Sequence, residues 1–337
     1  MNQKFTAMTF QPLANISIDL DNKWAYLKAK GDEAWESFPS YFDLVVPRIL
    51  EFLDEHRLKA TFFIVGQDAA LAENRHALEA IVENGHEIAN HSFHHEPWLH
   101  TYSSEKLLEE IVSAESAIKS VTGKCPKGFR GPGFSMTPEL LKILMRRGYT
   151  YDATTFPTFI GPLARMYYFL TSSFTADQKK DRRKLFGDWW QGLGTLYPFQ
   201  WKSAERRLVE IPVTTMPVFK LPIHGTYLLY LAQFSTMLAR VYFSTAMMLC
   251  RIFKVEPSFL LHPLDFIGQN DGQGLEFFPG MKQPAQQKIE LLGECVSKLN
   301  RHFQLVEMQT YAEALVKRNL KEYPLKMESN SSADCLV

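Results

Sequence analysis

The feature that most constrains the fold of this chain is the alternation of short apolar runs with longer amphipathic segments. Runs of strand length fall at residues 14–19, 60–65, 87–91, 128–130, 150–154, 208–213, 258–262 and 304–308. Between them the helical period predicts helices at about 39–56, 70–84, 104–121, 137–147 and 283–300. Such alternation builds a largely parallel sheet covered by helices, so the expected class is α/β. Thr137 before Pro138 marks a helix start, because proline at the first helical position gives up no hydrogen bond. Thr310 and Glu313 have the spacing of a capping box for a last helix.

The 337 residues, 46% of them hydrophobic, suffice for one sizeable core, and a single domain over residues 1–320 with a flexible tail at 321–337 is expected. Lys plus Arg and Asp plus Glu number 37 each, so bulk charge favours no nucleic-acid partner. Cys125, Cys250, Cys295 and Cys335 show no paired spacing, which fits free thiols in a reducing compartment. The N-terminal stretch lacks a basic segment followed by an apolar one, and the cytoplasm is the expected location.

Two stretches exceed the needs of a minimal α/β barrel. One, at about 156–207, contains FIGPLARMYYFL and the basic run KKDRRK (179–184). The other, at about 221–253, contains GTYLLYLAQFSTMLARVYFSTAMMLC. Its apolar stretch at 225–239 is shorter than the ~20 residues that span a bilayer. It is either a buried helix of the wall or an interfacial helix lying in the acyl boundary. A basic run beside an apolar segment suits anionic headgroups or a phosphate, so peripheral association with the inner face of a membrane is expected.

Asp19, His91, Arg130, Asp152 and His262 all fall at C-terminal ends of expected strands, which in a parallel barrel meet at one mouth. Asp19 and Asp21 alternate and can face one site, where one could bind metal and the other act as general base. In HSFHH (91–95), His91 and His95 have the spacing of H-E-x-x-H, but Ser92 and Phe93 replace its glutamate. The base must come from elsewhere, and Asp19 is the candidate; His94 is expected to face away or to play a supporting role. A His₂-carboxylate set leaves coordination positions open, as hydrolysis requires. RGPGFS (130–135) is a turn whose Arg130 could clamp a carboxylate. His262, in LLHPLDF, follows a buried run and by itself reads as readily as a structural residue.

Taken in order over residues 14–315, insertions excepted, these motifs resemble the polysaccharide deacetylase superfamily (NodB-like, carbohydrate esterase family 4). HSFHH, RGPG followed by GYTYDAT, and LLHP carry the resemblance. It implies a distorted (β/α)7-8 barrel with apolar helical insertions and one divalent metal, zinc foremost, with cobalt, nickel or manganese accepted. It implies Asp21, His91 and His95 as ligands, Asp19 as base, Arg130 as its orienting partner and His262 as acid. The backbone amide of Gly133 would serve the oxyanion hole. Three departures stand out: Leu20 splits the usual Asp-Asp, Gly133 replaces an aromatic and is expected to open the substrate groove, and the carboxylate orienting His262 is Asp152, Glu210 or Asp265. The implied activity is de-N-acylation, acetyl or formyl, of an N-acylated sugar. With two apolar insertions, a sugar carried on polyprenyl phosphate is the expected substrate. Peptidoglycan or exopolysaccharide deacetylation, hydrolysis of small or cyclic amides, and a catalytically inactive glycolipid-binding module are the alternatives.

Overall fold

A computed structural model describes residues 11–159, 194–204, 206–278 and 280–325. The KKDRRK run, all of FIGPLARMYYFL beyond Phe159, and residues 327–337 with Cys335 lie outside the described residues. In chain order the first half comprises β1 (Leu13–Leu20), α1 (Lys23–Lys30), α2 (Phe42–Glu55), β2 (Thr61–Ile64), α3 (Gly66–Ala70), α4 (Arg75–Glu83), β3 (Glu87–Asn90), α5 (Ser104–Thr122), β4 (Gly128–Phe129), α6 (Pro138–Arg147) and β5 (Tyr151–Asp152). There follow β6 (Phe199–Ser203), β7 (Arg206–Glu210), α7 (Gly225–Ala232), α8 (Thr236–Ile252), β8 (Ser258–Leu261), α9 (Ala285–His302), β9 (Gln304–Val306), α10 (Met308–Val316) and β10 (Glu322–Pro324).

The strands form one sheet ordered β10-β6-β7-β5-β4-β3-β2-β1-β8, with β9 also on β1. All ladders are parallel except β6 on β7. The α/β expectation holds, but no ladder among the described residues joins the two ends, so the sheet is open rather than a closed barrel. One face packs Ile16, Ile18, Phe62 and Ile64 against helices such as α2 and α5, and the other packs Phe63, Ala89, Tyr151 and Val209 with one another and with α10. That is why β1 is buried along nearly its whole length, as parallel strands covered on both faces must be.

Local chemistry explains most boundaries. Thr137 caps α6 by accepting from the Leu140 N–H at 3.1 Å, with Pro138 at the first helical position and Gly148 left-handed at the end. The expected helix at 70–84 is broken instead into α3 and α4 around a 3-10 turn, Ala72–Asn74. The Thr310–Glu313 capping box does not form, because α10 begins earlier. Its first amides, of Met308 and Gln309, donate to Thr61 Oγ1 and Glu87 Oε2, both at 2.9 Å. Two strands were not expected: β6 lies within the first insertion, and β10 lies in the segment expected to be a flexible tail. Glu322 of β10 is held by Lys202 and Arg207, each at 2.7 Å.

The second insertion forms the α7–α8 hairpin. Phe243, Ala246, Met247 and Cys250 of α8 enter the core, while Met237, Val241, Met248 and Ile252 are exposed. The wall-helix reading therefore holds on one face, and the other face is an apolar surface. No helix among the described residues is long and apolar enough to cross a membrane.

Sheet register sets up the site. Leu20 is level with Ile64 and Ile64 with Asn90, so Asp21 and His91 leave the sheet at the same level on either side of β2. Ile18 is level with Leu261, which brings Asp19 beside His262. Asn90 pairs with Phe129, which places Arg130 beside His91.

Candidate metal centre and its flanking groups

Asp21, His91 and His95 offer three ligand atoms that lie within 4.8 Å of one another. Asp21 Oδ1 is 3.0 Å from His95 Nε2 and 3.6 Å from His91 Nε2, and it is a buried oxygen without a well-formed hydrogen bond. His91 Nδ1 stands 2.7 Å from the carbonyl of Arg130, which can only accept. Nδ1 therefore carries the proton and Nε2 presents its lone pair to the centre, the arrangement that fixes a metal-ligating imidazole. Burial opposes the Asp21 carboxylate, but His95, His91 and His262 outweigh it and hold its pKa well below the usual range. Burial lowers the pKa of His91. It also opposes protonation of His95, where Asp21 overcomes it and raises the pKa.

The histidines are not on a helix, although their spacing matches one turn. Ser92 and His95 have φ of 63° and 54°, in the left-handed region, so the chain coils back on itself between the ligands. Glu110 of α5, almost fully buried, holds that turn. Its Oε2 accepts the N–H groups of Phe93 and His94 at 3.0 and 3.1 Å, and its Oε1 lies 2.5 Å from His94 Nδ1. The α3 N-terminus adds two more bonds, from Gly66 and Gln67 N–H to the Ser92 and Phe93 carbonyls at 2.9 and 3.0 Å. His94 thus faces away from the centre and supports the turn.

Asp19 Oδ1 accepts from Arg130 Nη1 at 2.6 Å, and its Oδ2 lies 3.9 Å from His91 Nε2 and 4.0 Å from His262 Nε2. Arg130 is fully buried. It also donates to Ser17 Oγ and the Ala153 carbonyl, both at 3.0 Å, and lies over the Phe63 ring at 4.1 Å. The guanidinium is held on three sides, and the contact to Asp19 uses one nitrogen rather than the bidentate fork.

His262 is oriented from the second insertion. Thr226 Oγ1, in the first turn of α7, donates to Asp265 Oδ1 at 2.8 Å and lies 3.1 Å from His262 Nδ1. A hydroxyl that has given its proton to a carboxylate accepts from Nδ1–H, which leaves Nε2 facing Asp19. Asp265 Oδ2 also accepts the His262 N–H at 2.9 Å. Of the three candidate orienting carboxylates, Asp265 is the one connected to His262. Asp152 and Glu210 instead pair with each other across β5 and β7. Asp152 accepts from Thr154 Oγ1 at 2.6 Å, and Glu210 accepts from Thr155 N–H at 2.9 Å and Trp201 Nε1 at 2.8 Å. Burial and the negative charge of Asp152 push Glu210 well above the usual carboxylate range.

Gly133 lies in the 3-10 turn Pro132–Phe134 with φ 58°. A Cβ there would stand 2.7 Å from Pro97 Cβ, so the turn at this position takes glycine alone. Gly133 itself stays exposed, so the contact constrains a side chain at this position rather than access to it. Among residues the sequence reasoning missed, Glu110 and Thr226 are remote in sequence from the groups they hold. Asp68 is a third. Burial raises its pKa to about 7 against the pull of Asn22 and Trp24, which donate to its Oδ1 at 2.8 Å each and so pin the segment after Asp21.

Residues 32–151 match the family model described as polysaccharide deacetylase. A peptidoglycan-N-acetylmuramic acid deacetylase of Bacillus subtilis is 32% identical over 104 residues, covering 31% of this chain and 38% of that protein. A peptidoglycan deacetylase of Helicobacter pylori is 29% identical over 108 residues, covering 32% and 36%. A chitooligosaccharide deacetylase of a Bradyrhizobium strain is 31% identical over 103 residues, covering 30% and 46%. The matches thus span less than half the length of these relatives. A solved structure assigned as a polysaccharide deacetylase from Mycobacterium smegmatis superposes with TM-score 0.62 at 18% identity, covering 96% of this chain and 97% of that one, and supports the fold. The chain is thus similar to polysaccharide deacetylases over its N-terminal part and shares the fold of the solved structure.

Proposed function

We propose that this chain is a metal-dependent hydrolase that removes the N-acyl group of an amino sugar carried on a polyprenyl phosphate at the inner face of a membrane. The observation that carries the chemistry is the convergence at one mouth of three ligand atoms, an arginine-held carboxylate and a facing histidine. Two imidazoles and a carboxylate, with the His91 proton already committed to a carbonyl, suit zinc and accept cobalt, nickel or manganese. When bound, such an ion supplies Lewis acidity that polarises the acyl carbonyl and eases deprotonation of the attacking water.

The chain's own groups supply the rest. Asp19, anchored through Oδ1 by Arg130, keeps Oδ2 for the proton of the water. The Gly133 N–H donates to the oxyanion as the carbonyl becomes tetrahedral. His262 Nε2 gives its proton to the departing nitrogen, while Thr226 and Asp265 hold Nδ1–H. One water and one amide become an amine and a carboxylate.

The substrate class is argued from the α7–α8 hairpin. Phe234 and Met237 at its turn are 70% and 72% exposed, and Val241, Met248 and Ile252 continue the apolar stripe along α8. Arg251 and Lys254 stand exposed at its end. An apolar stripe edged by cations is the pattern of a helix lying in an anionic lipid interface. Free Cys125, Cys250 and Cys295 suit the cytoplasmic side. The relatives' names supply the second reading, a deacetylase of peptidoglycan or a chitooligosaccharide.

The test is carboxylate release by the metal-loaded chain from one N-acylated sugar on polyprenyl phosphate, from the same sugar without lipid, and from peptidoglycan fragments. Faster release from the lipid-linked sugar is expected. Equal or faster release from the soluble substrates would favour the second reading, and no release from any of them would end the hydrolase proposal.

A further inference from the structure

Toward the β6–β10 edge of the sheet lies a cavity of about 410 Å³ whose described walls are mainly Phe134, Met136, Phe156, Phe199, Trp201 and Tyr323. It opens at the same end of the sheet as the metal centre. Phe199 is level with Glu210, Glu210 with Asp152, and Asp152 with Phe129, the residue before Arg130. Its rings are tightly grouped: Phe134 and Phe156 are 4.7 Å apart, and Phe199 is 4.9 Å from both Trp201 and Tyr323. A series of rings leads from it to the acid. Phe156 lies 5.8 Å from His224, and His224 lies 6.1 Å from His262.

Among the described residues no charged side chain lines the cavity, and of its polar side chains Thr155 Oγ1 is buried without a partner while Thr154, Thr195 and Trp201 are engaged elsewhere. Thr154 Oγ1 donates to Asp152 and accepts the Gly131 N–H at 2.9 Å, and Thr195 Oγ1 accepts the Tyr197 N–H at 3.1 Å. The polar edge of Trp201 is turned to Glu210 at 2.8 Å, which leaves its ring for contact. A sugar ring needs convergent donors and acceptors to fix its hydroxyls, whereas a hydrocarbon needs only apolar walls.

We propose that this aromatic cleft holds the first hydrocarbon segment of the carrier, beyond the phosphate that joins it to the sugar. The inference rests on the hydrolase reading above. In that reading His262 faces the leaving nitrogen, and the rings of His224 and Phe156 run from that side of the scissile bond to the cleft, whose wall at Phe134 adjoins Gly133. The carrier, rather than the acyl chain, extends that way.

The test is calorimetric binding of alkyl glycosides of N-acetylglucosamine, methyl to hexyl and below their micelle concentrations, to the full chain. A parallel series lengthens the N-acyl group on the methyl glycoside. Trp201→Ala and Tyr323→Glu are compared, with melting temperatures to verify folding; the second variant leaves the Trp201–Glu210 bond untouched. In the unaltered chain, affinity is expected to rise up to about fourfold per added methylene on the glycoside series. It should stay flat in both variants. A flat series in the unaltered chain, an unchanged slope in the folded variants, or a slope on the N-acyl series alone would overturn the assignment. Binding needs no turnover, so a steep glycoside series without acyl release would sink the hydrolase reading and keep the cleft.

Discussion

The two sides of the mouth are built differently. On the metal side, Asp19, Asp21, His91 and Arg130 are 4%, 7%, 2% and 0% exposed, and all leave or follow strands of one sheet. On the acid side, the His262 side chain is 22% exposed, and its partner Thr226 comes from a helical hairpin whose far end presents apolar side chains to the surroundings. The side proposed to define the reaction is fixed by the sheet. The side proposed to protonate the leaving group is tied to an exposed apolar surface. In this proposal reaction type and substrate class are carried by separable parts of the chain.

The largest effect expected from breaking this division is on the metal side. His95→Ala removes one of three ligands, so bound divalent metal in equilibrium dialysis should fall towards zero and acyl release by on the order of 10³-fold. Undiminished metal binding would remove His95 from the centre. On the acid side, Thr226→Ala should lower kcat by about 10- to 100-fold, with metal content unchanged and Thr226→Ser largely restoring the rate. An alanine variant as active as the parent would show that Thr226 does not position His262. The hairpin surface should matter least to chemistry: Met237→Glu with Val241→Glu should abolish flotation with anionic liposomes while leaving release from soluble sugar within about twofold. Flotation that survives both charges would place the membrane contact elsewhere.

The floor of the sheet sharpens the comparison, since it should affect stability alone. His86, 3% exposed just before β3, accepts the Ala60 N–H at 3.3 Å through Nδ1. Burial, then Lys59 and Lys124, hold its pKa down at about 4 from an ordinary 6.5. Below pH ~6.5 the unfolded chain takes up a proton that the folded chain resists. Its stabilising effect is therefore complete above that pH and is lost as pH falls towards 4. His86→Gln should flatten the denaturant-measured stability over this window by roughly 1–3 kcal/mol. An unchanged slope would assign the acid sensitivity to other groups.

Much of this was legible in the sequence because strand periodicity places residues without knowledge of their neighbours. The ends of β1, β3, β4 and β8 fall within a residue or two of expectation, and with them Asp19, His91, Arg130 and His262. The rest depends on contacts distant in the chain. Glu110 reaches the ligand turn from a helix whose periodicity gives no hint of it, and Thr226 comes from an insertion that reads as apolar filler. The choice among Asp152, Glu210 and Asp265 could not be made from spacing, because the selected carboxylate acts through that threonine. The neighbour that makes glycine necessary at 133 was hidden for a similar reason, since Pro97 approaches from another loop.

The most direct test of the central claim is Asp19→Asn, measured for divalent metal content, melting temperature and acyl release together. The side chain is nearly isosteric, although it leaves Arg130 without its buried counter-charge, so some loss of stability is expected. The expected result is metal content equal to the parent, a folded chain at assay temperature, and release lowered by about 10²- to 10⁴-fold. Parent-level release from the folded, metal-loaded variant would contradict the assignment of Asp19 as the base and, with it, the reading of this mouth as a hydrolytic centre.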